Sequence, residues 1–164
     1  MHRLLGLAAC LLLWSCVRQQ PGQGLTFNVC ERIRVVPAQG TTPAQLASVD
    51  SALSLWNAWG LSRLTLQDAS GAALIPLRFD VAPDAFHGVY EANLGDIVIN
   101  QDMQDPQEVA VVVAHELGHA MGLSHVSTST RPSVMNPDNL VQPPTAGDEA
   151  ALAAQWGSCA ASPP

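Results

Sequence analysis

The chain contains no lysine; its seven basic residues are all arginine, set against fourteen acidic ones, and the formal charge is −7. A surface so poor in positive charge has no basic face for nucleic acid or for an anionic membrane, so no nucleic-acid partner is expected. Charged residues make up only 13% of the 164 residues and aromatic residues 5%, with one tyrosine in the whole chain. No EF-hand spacing and no internal repeat is visible. The longest apolar run, residues 4–14, falls well short of the roughly 20 residues that a spanning helix needs. The length suits one domain with a real core and is too small for two ordinary ones.

What is present at the start reads as an export leader over residues 1–16. Arg3 precedes the apolar run, which ends at Leu13-Trp14-Ser15-Cys16. That ending resembles a bacterial lipobox, in which Cys16 becomes the lipid-modified first residue; plain secretion or an uncleaved segment are the alternatives. The protein is therefore expected outside the cytoplasm, touching a membrane only through an N-terminal lipid anchor. Residues 17–25, rich in Gln and Gly, read as a tether, residues 26–159 as the domain, and residues 160–164 as a tail. With Cys16 acylated, Cys30 and Cys159 form a natural disulfide pair in an oxidising compartment, the alternative being two unrelated buried thiols.

Strand patterns cover residues 25–36, the alternating Leu77, Phe79 and Val81, and Ile97-Val98-Ile99 between Gly95 and Asn100. Thr42, Pro43 and Gln45 supply a cap, a first-turn proline and a capping-box partner for a helix carrying Leu46, Val49, Leu53 and Trp56, which Gly60 stops. Asp105, Pro106 and Glu108 repeat that start signal for an apolar helix ending at Gly122, and a last helix runs from Thr145, with Asp148 three residues on, to Trp156-Gly157. Half of the acidic residues fall within residues 80–108. They read either as a Ca2+ site or as a solvated loop face.

Three of the five histidines sit within eleven residues, in His115-Glu116-Leu117-Gly118-His119-Ala120-Met121-Gly122-Leu123-Ser124-His125. Histidines four apart on a helix project from one face about 6 Å apart along the axis, which suits two ligands of one ion. A left-handed Gly122 can end the helix and return the chain, so that His125 becomes the third ligand. Three protein ligands leave a tetrahedral Zn2+ with one corner for water, and Glu116 beside that corner is placed to accept its proton and later pass it on. A bare histidine pair is often only a satisfied core feature; five matching fixed positions are hard to obtain by chance.

The extended motif, with Ser133-Val134-Met135-Asn136-Pro137 ten residues later, resembles the metzincin metalloproteases, and most closely their matrixin branch. The resemblance spans residues 26–157. It implies an α+β catalytic domain in layers: a twisted, mostly parallel sheet with an antiparallel edge strand, two long helices and a C-terminal helix. It further implies a zinc-dependent endopeptidase, with His115, His119 and His125 as ligands, Glu116 as base and acid, and Met135 as the floor beneath the ion. Gly95, Asp96, Ile97 and Val98 would then belong to the edge strand that pairs with an extended substrate. Val126 after the last ligand matches no common subfamily. Pro137 stands where astacin-like and serralysin-like members carry a tyrosine ligand, and His87 stands alone where matrixins gather ligands for a second zinc, so one catalytic zinc is expected. A monomer acting on protein or peptide is the expected form. From another class comes the alternative of a zinc-containing surface module that holds peptides without cutting them. A thermolysin-like arrangement would instead recruit Glu149 as third ligand.

Overall fold

The computed structural model describes residues 24–157 and Cys159. The leader with Cys16, tether residues 17–23 and the tail lie outside the described residues. In chain order the elements are β1 (Arg32–Pro37), α1 (Pro43–Asn57), β2 (Arg63–Thr65), β3 (Ala73–Asp80), β4 (Gly88–Glu91), β5 (Asp96–Asn100), α2 (Pro106–Ala120) and α3 (Ala146–Trp156). The class is α+β, with a five-stranded sheet in the order β2-β1-β3-β5-β4. All neighbours pair in parallel except β4, which runs antiparallel to β5 at one edge.

The sheet buries one face. Ile33, Val35, Ile75, Leu77, Ile97 and Ile99 are each no more than 1% exposed, and the register aligns Val35 with Ile75, and Leu77 with Ile97. Parallel pairing keeps aligned residues on one side, so these form a continuous apolar floor. The opposite face is open: Leu74 is 54% exposed, and Arg34 and Arg78 pair there with Asp68 and with Asp80, Glu91 and Asp96.

Helices α1 and α2 pack against each other; α2 also packs on β4 and β5, and α1 on β2. The capping box of α1 forms as its sequence predicts, Thr42 N–H donating to Gln45 Oε1 at 2.9 Å and Gln45 N–H to Thr42 Oγ1 at 3.2 Å. Asp105 caps α2, accepting from the Gln107 N–H at 2.7 Å. Four valines are poor intrinsic helix formers, so burial of Val109, Val111, Val112 and Val113 holds α2 more than propensity does. Trp56 cross-braces the two helices by donating its Nε1–H to Ala114 O at 2.9 Å. A Cys30–Cys159 disulfide spans 129 residues of sequence, with a Cα–Cα distance of 5.0 Å. No helix among the described residues is long and apolar enough to cross a membrane.

Two strand expectations are corrected. Residues 25–31 are not strand: the Asn28 side chain accepts from the Cys30 N–H at 2.9 Å, and this local turn withdraws the backbone from ladder pairing. The segment containing Gly95, Asp96, Ile97 and Val98 is not the edge. Gly95 is a turn residue with φ 75°, and Asp96, Ile97 and Val98 belong to β5, flanked by β3 on one side and β4 on the other. The edge belongs to β4, whose four residues are too few for a periodicity signal.

Candidate metal centre

Helix α2 carries His115 and His119 one turn apart on one face. It stops because Gly122 takes φ 97°, where the Leu123 N–H donates to Gly118 O and the Gly122 N–H to His119 O, both at 2.9 Å. This turn reverses the chain and returns His125 to the two helical histidines.

The three Nε2 atoms form a nearly equilateral triangle, with His115–His125 at 3.1 Å, His115–His119 at 3.1 Å and His119–His125 at 3.2 Å. The approach of His115 to His119 is not a hydrogen bond between rings. His115 Nδ1 lies 2.7 Å from Val134 O and His119 Nδ1 2.8 Å from Leu123 O, and a carbonyl only accepts, so in both rings the proton is on Nδ1. Two bare lone pairs therefore face each other at close range, an arrangement that a shared cation stabilises. These three nitrogens would hold one ion between them and leave a further position on it for water. The donor set fits a small divalent ion.

Burial lowers His115 to about 4, the Val134 hydrogen bond opposing and the neighbouring histidines adding to the fall. His119 is lowered for the same first reason. Both rings are thus held in the neutral state that a ligand needs. Among the described residues, this trio is the group of His, Cys, Asp or Glu side chains whose ligand atoms all come within reach of one another. Of the acidic residues within 80–108, Asp80, Glu91 and Asp96 instead surround Arg78. Glu149 lies in the first turn of α3 and is not part of the trio.

Glu116 is only 5% exposed. It lies against β4, where a Cβ placed on Gly88 would come 3.3 Å from Glu116 Cγ. Burial pushes its carboxyl up to about 7, with the Tyr90 backbone N–H opposing. Glu116 and the three histidines line one cleft of about 880 Å3, with His87 to Tyr90 on the sheet side and Pro137 to Asn139 on the other. Gly95, Asp96, Ile97 and Val98 do not line it.

Met135 is fully buried and packs on α2 at Gly118, the residue before His119. A Cβ at Gly118 would collide with Met135 Sδ and stand 3.3 Å from its Cε, so the missing side chain is what lets the loop approach. That loop is tied to both ends of the ligand segment. Val134 O holds His115, while the Val126 N–H donates to Met135 O at 2.9 Å and Asn136 Nδ2–H to Val126 O at 2.8 Å.

Asp148 clamps this loop from behind. Fully buried in the first turn of α3, it accepts from Ser133 Oγ–H, from Arg131 Nη1–H at 2.8 Å, from the Val134 N–H at 3.1 Å and from the Thr145 N–H at 2.9 Å. Burial alone would raise its carboxyl, but the donors from Ser133, Thr145, Arg131 and Val134 outweigh it and hold the group below the usual range. In the sequence Asp148 is visible only as a helix cap. Its reach to residues fifteen positions earlier has no local signal. Neither a protein-family model nor a curated protein matches the chain.

Proposed function

We propose that the protein is a zinc-dependent endopeptidase of the metzincin type, exported and cutting extended polypeptide. The observation that carries the reading is the convergence of three imidazole Nε2 atoms in a cleft that also contains a buried carboxyl and runs beside a sheet edge. Zinc held by His115, His119 and His125 supplies Lewis-acid polarisation of a carbonyl and acidifies water.

The chain's own groups do the rest. Glu116, adjacent in sequence to His115 and walled off by β4, takes a proton from the attacking water and delivers it to the leaving amine nitrogen. Among the described residues strand β4 pairs with β5 alone, and its other edge would take a peptide in extended form, aligned antiparallel or parallel by main-chain hydrogen bonds. The Val134 carbonyl accepts from the ring of His115 and Met135 packs on α2 at Gly118, which holds the ligand geometry as substrate enters and leaves. The lipobox-like Cys16 and the disulfide agree with action at the cell envelope or outside it.

The decisive experiment is hydrolysis of casein and a peptide library by the zinc-loaded protein beside its Glu116→Gln variant. Loss of about 10²- to 10⁴-fold in kcat with zinc content and melting temperature retained is expected. Equal turnover in both proteins, or none in either, removes the hydrolase and leaves a zinc-holding peptide-binding module.

A further inference from the structure

The cleft is charged asymmetrically. Among the described residues its lining contains no arginine, and its acidic side chains are Glu116 and Asp138. Glu116 is buried against β4, whereas Asp138 is exposed on the opposite wall and has no ion-pair partner among the described residues.

The residue after Asp138 ties down the loop that carries it. Its neighbour Asn139 donates through Nδ2 to Val134 O at 3.1 Å and to Gln142 O at 2.7 Å, and accepts at Oδ1 from the Val141 and Gln142 N–H groups at 3.1 and 2.8 Å. The rigid loop sets Asp138 at φ 55°, the one left-handed non-glycine among the described residues. Such a backbone is costly for an L-residue, least so for Asp and Asn, and persists where the surroundings over-determine it. Asp138 lines the same cleft as His115, His119 and His125.

We infer that Asp138 is a specificity residue that selects a lysine or arginine side chain immediately flanking the bond to be cut. The inference rests on the proposed peptide-hydrolase reading of the cleft. A substrate lying along β4 crosses the histidines and presents side chains to the Pro137–Asn139 wall. A cationic one meets an unpaired carboxylate on that wall, and an anionic one is repelled by it. Because Asp138 is exposed, the attraction is modest and salt-sensitive.

The test uses the full chain loaded with zinc and a positional-scanning peptide pool in which lysine, arginine, norleucine or glutamate is fixed at each position in turn. Binding is read on a Glu116→Gln background and cleavage on the parent protein. At low salt, lysine and arginine pools should bind about fivefold tighter than norleucine at one position and be cut with a similar advantage in kcat/KM. The advantage should shrink with added salt, vanish in Asp138→Asn, which tolerates the same left-handed backbone, and invert toward glutamate in Asp138→Lys. Circular dichroism and zinc content establish that each variant is folded. An unchanged lysine-to-norleucine ratio in Asp138→Asn, equal binding of all pools by the parent, or binding of none overturns the inference. Binding preference without any cleavage keeps Asp138 and removes the hydrolase; cleavage without preference does the reverse.

Discussion

Replacing Asp148 by asparagine tests whether one carboxylate holds the loop beneath the metal centre. The substitution conserves shape but swaps one acceptor oxygen for an NH2 group. In either amide orientation a donor pair is left facing another donor: the Val134 and Thr145 N–H groups on one side, or Ser133 Oγ–H and Arg131 on the other. Arg131, whose side chain is 29% exposed, also loses its counter-charge. Removing one partner of a buried, hydrogen-bonded ion pair costs about 3–5 kcal/mol, a large share of the roughly 5–15 kcal/mol of a typical domain. With a urea m-value of about 2 kcal/mol/M, the midpoint of the zinc-free protein should fall by about 2 M, read by tryptophan fluorescence. Zinc affinity should fall about 10- to 100-fold as well, because Val134 both donates to Asp148 and orients His115. The pH dependence has a definite sign. A carboxyl held below its ordinary 3.8 stabilises the fold fully above that value, and the contribution is lost as pH falls through the lower folded value. A midpoint shift under about 0.5 M, with zinc affinity intact, would refute the clamp.

Three further outcomes are expected. His125→Ala should abolish tight zinc binding while Glu149→Ala leaves it intact, measured by competition with a chromophoric chelator; the reverse result would move the third ligand into α3. Gly118→Ala should destabilise by about 1–3 kcal/mol through collision with Met135, although alanine is the better helix former, and a melting temperature equal to the parent's would mean that Met135 does not pack there. Reducing Cys30–Cys159, which closes 129 residues, should cost up to about 5 kcal/mol by chain entropy; identical urea midpoints with and without reductant would leave the bridge without a stabilising role.

The helices and the ligand trio were legible because their signals are local. Caps sit three residues from their partners, as with Thr42 and Gln45, and the histidine spacing of four is the period of a helix turn. The edge of the sheet was not legible. Ile97, Val98 and Ile99 form an uninterrupted apolar run, and all three are buried; such a run marks an interior strand, whereas the true edge, β4, is short and identified only by what pairs with it. Residues 25–31 alternate like a strand, but Asn28 bonds its own neighbourhood first. The roles assigned to Asp148 and Asp138 depend on contacts across the fold, and neither residue type nor spacing announces them.

The central claim is that three imidazole nitrogens share one zinc. X-ray absorption at the zinc edge on protein purified without added metal tests it most directly. One zinc per chain is expected, with four nitrogen or oxygen neighbours at about 2.0–2.1 Å and the outer-ring scattering of imidazole, all lost in a His115→Ala, His119→Ala double variant. Protein that is folded yet takes up no zinc, or a spectrum unchanged by that double variant, would contradict it.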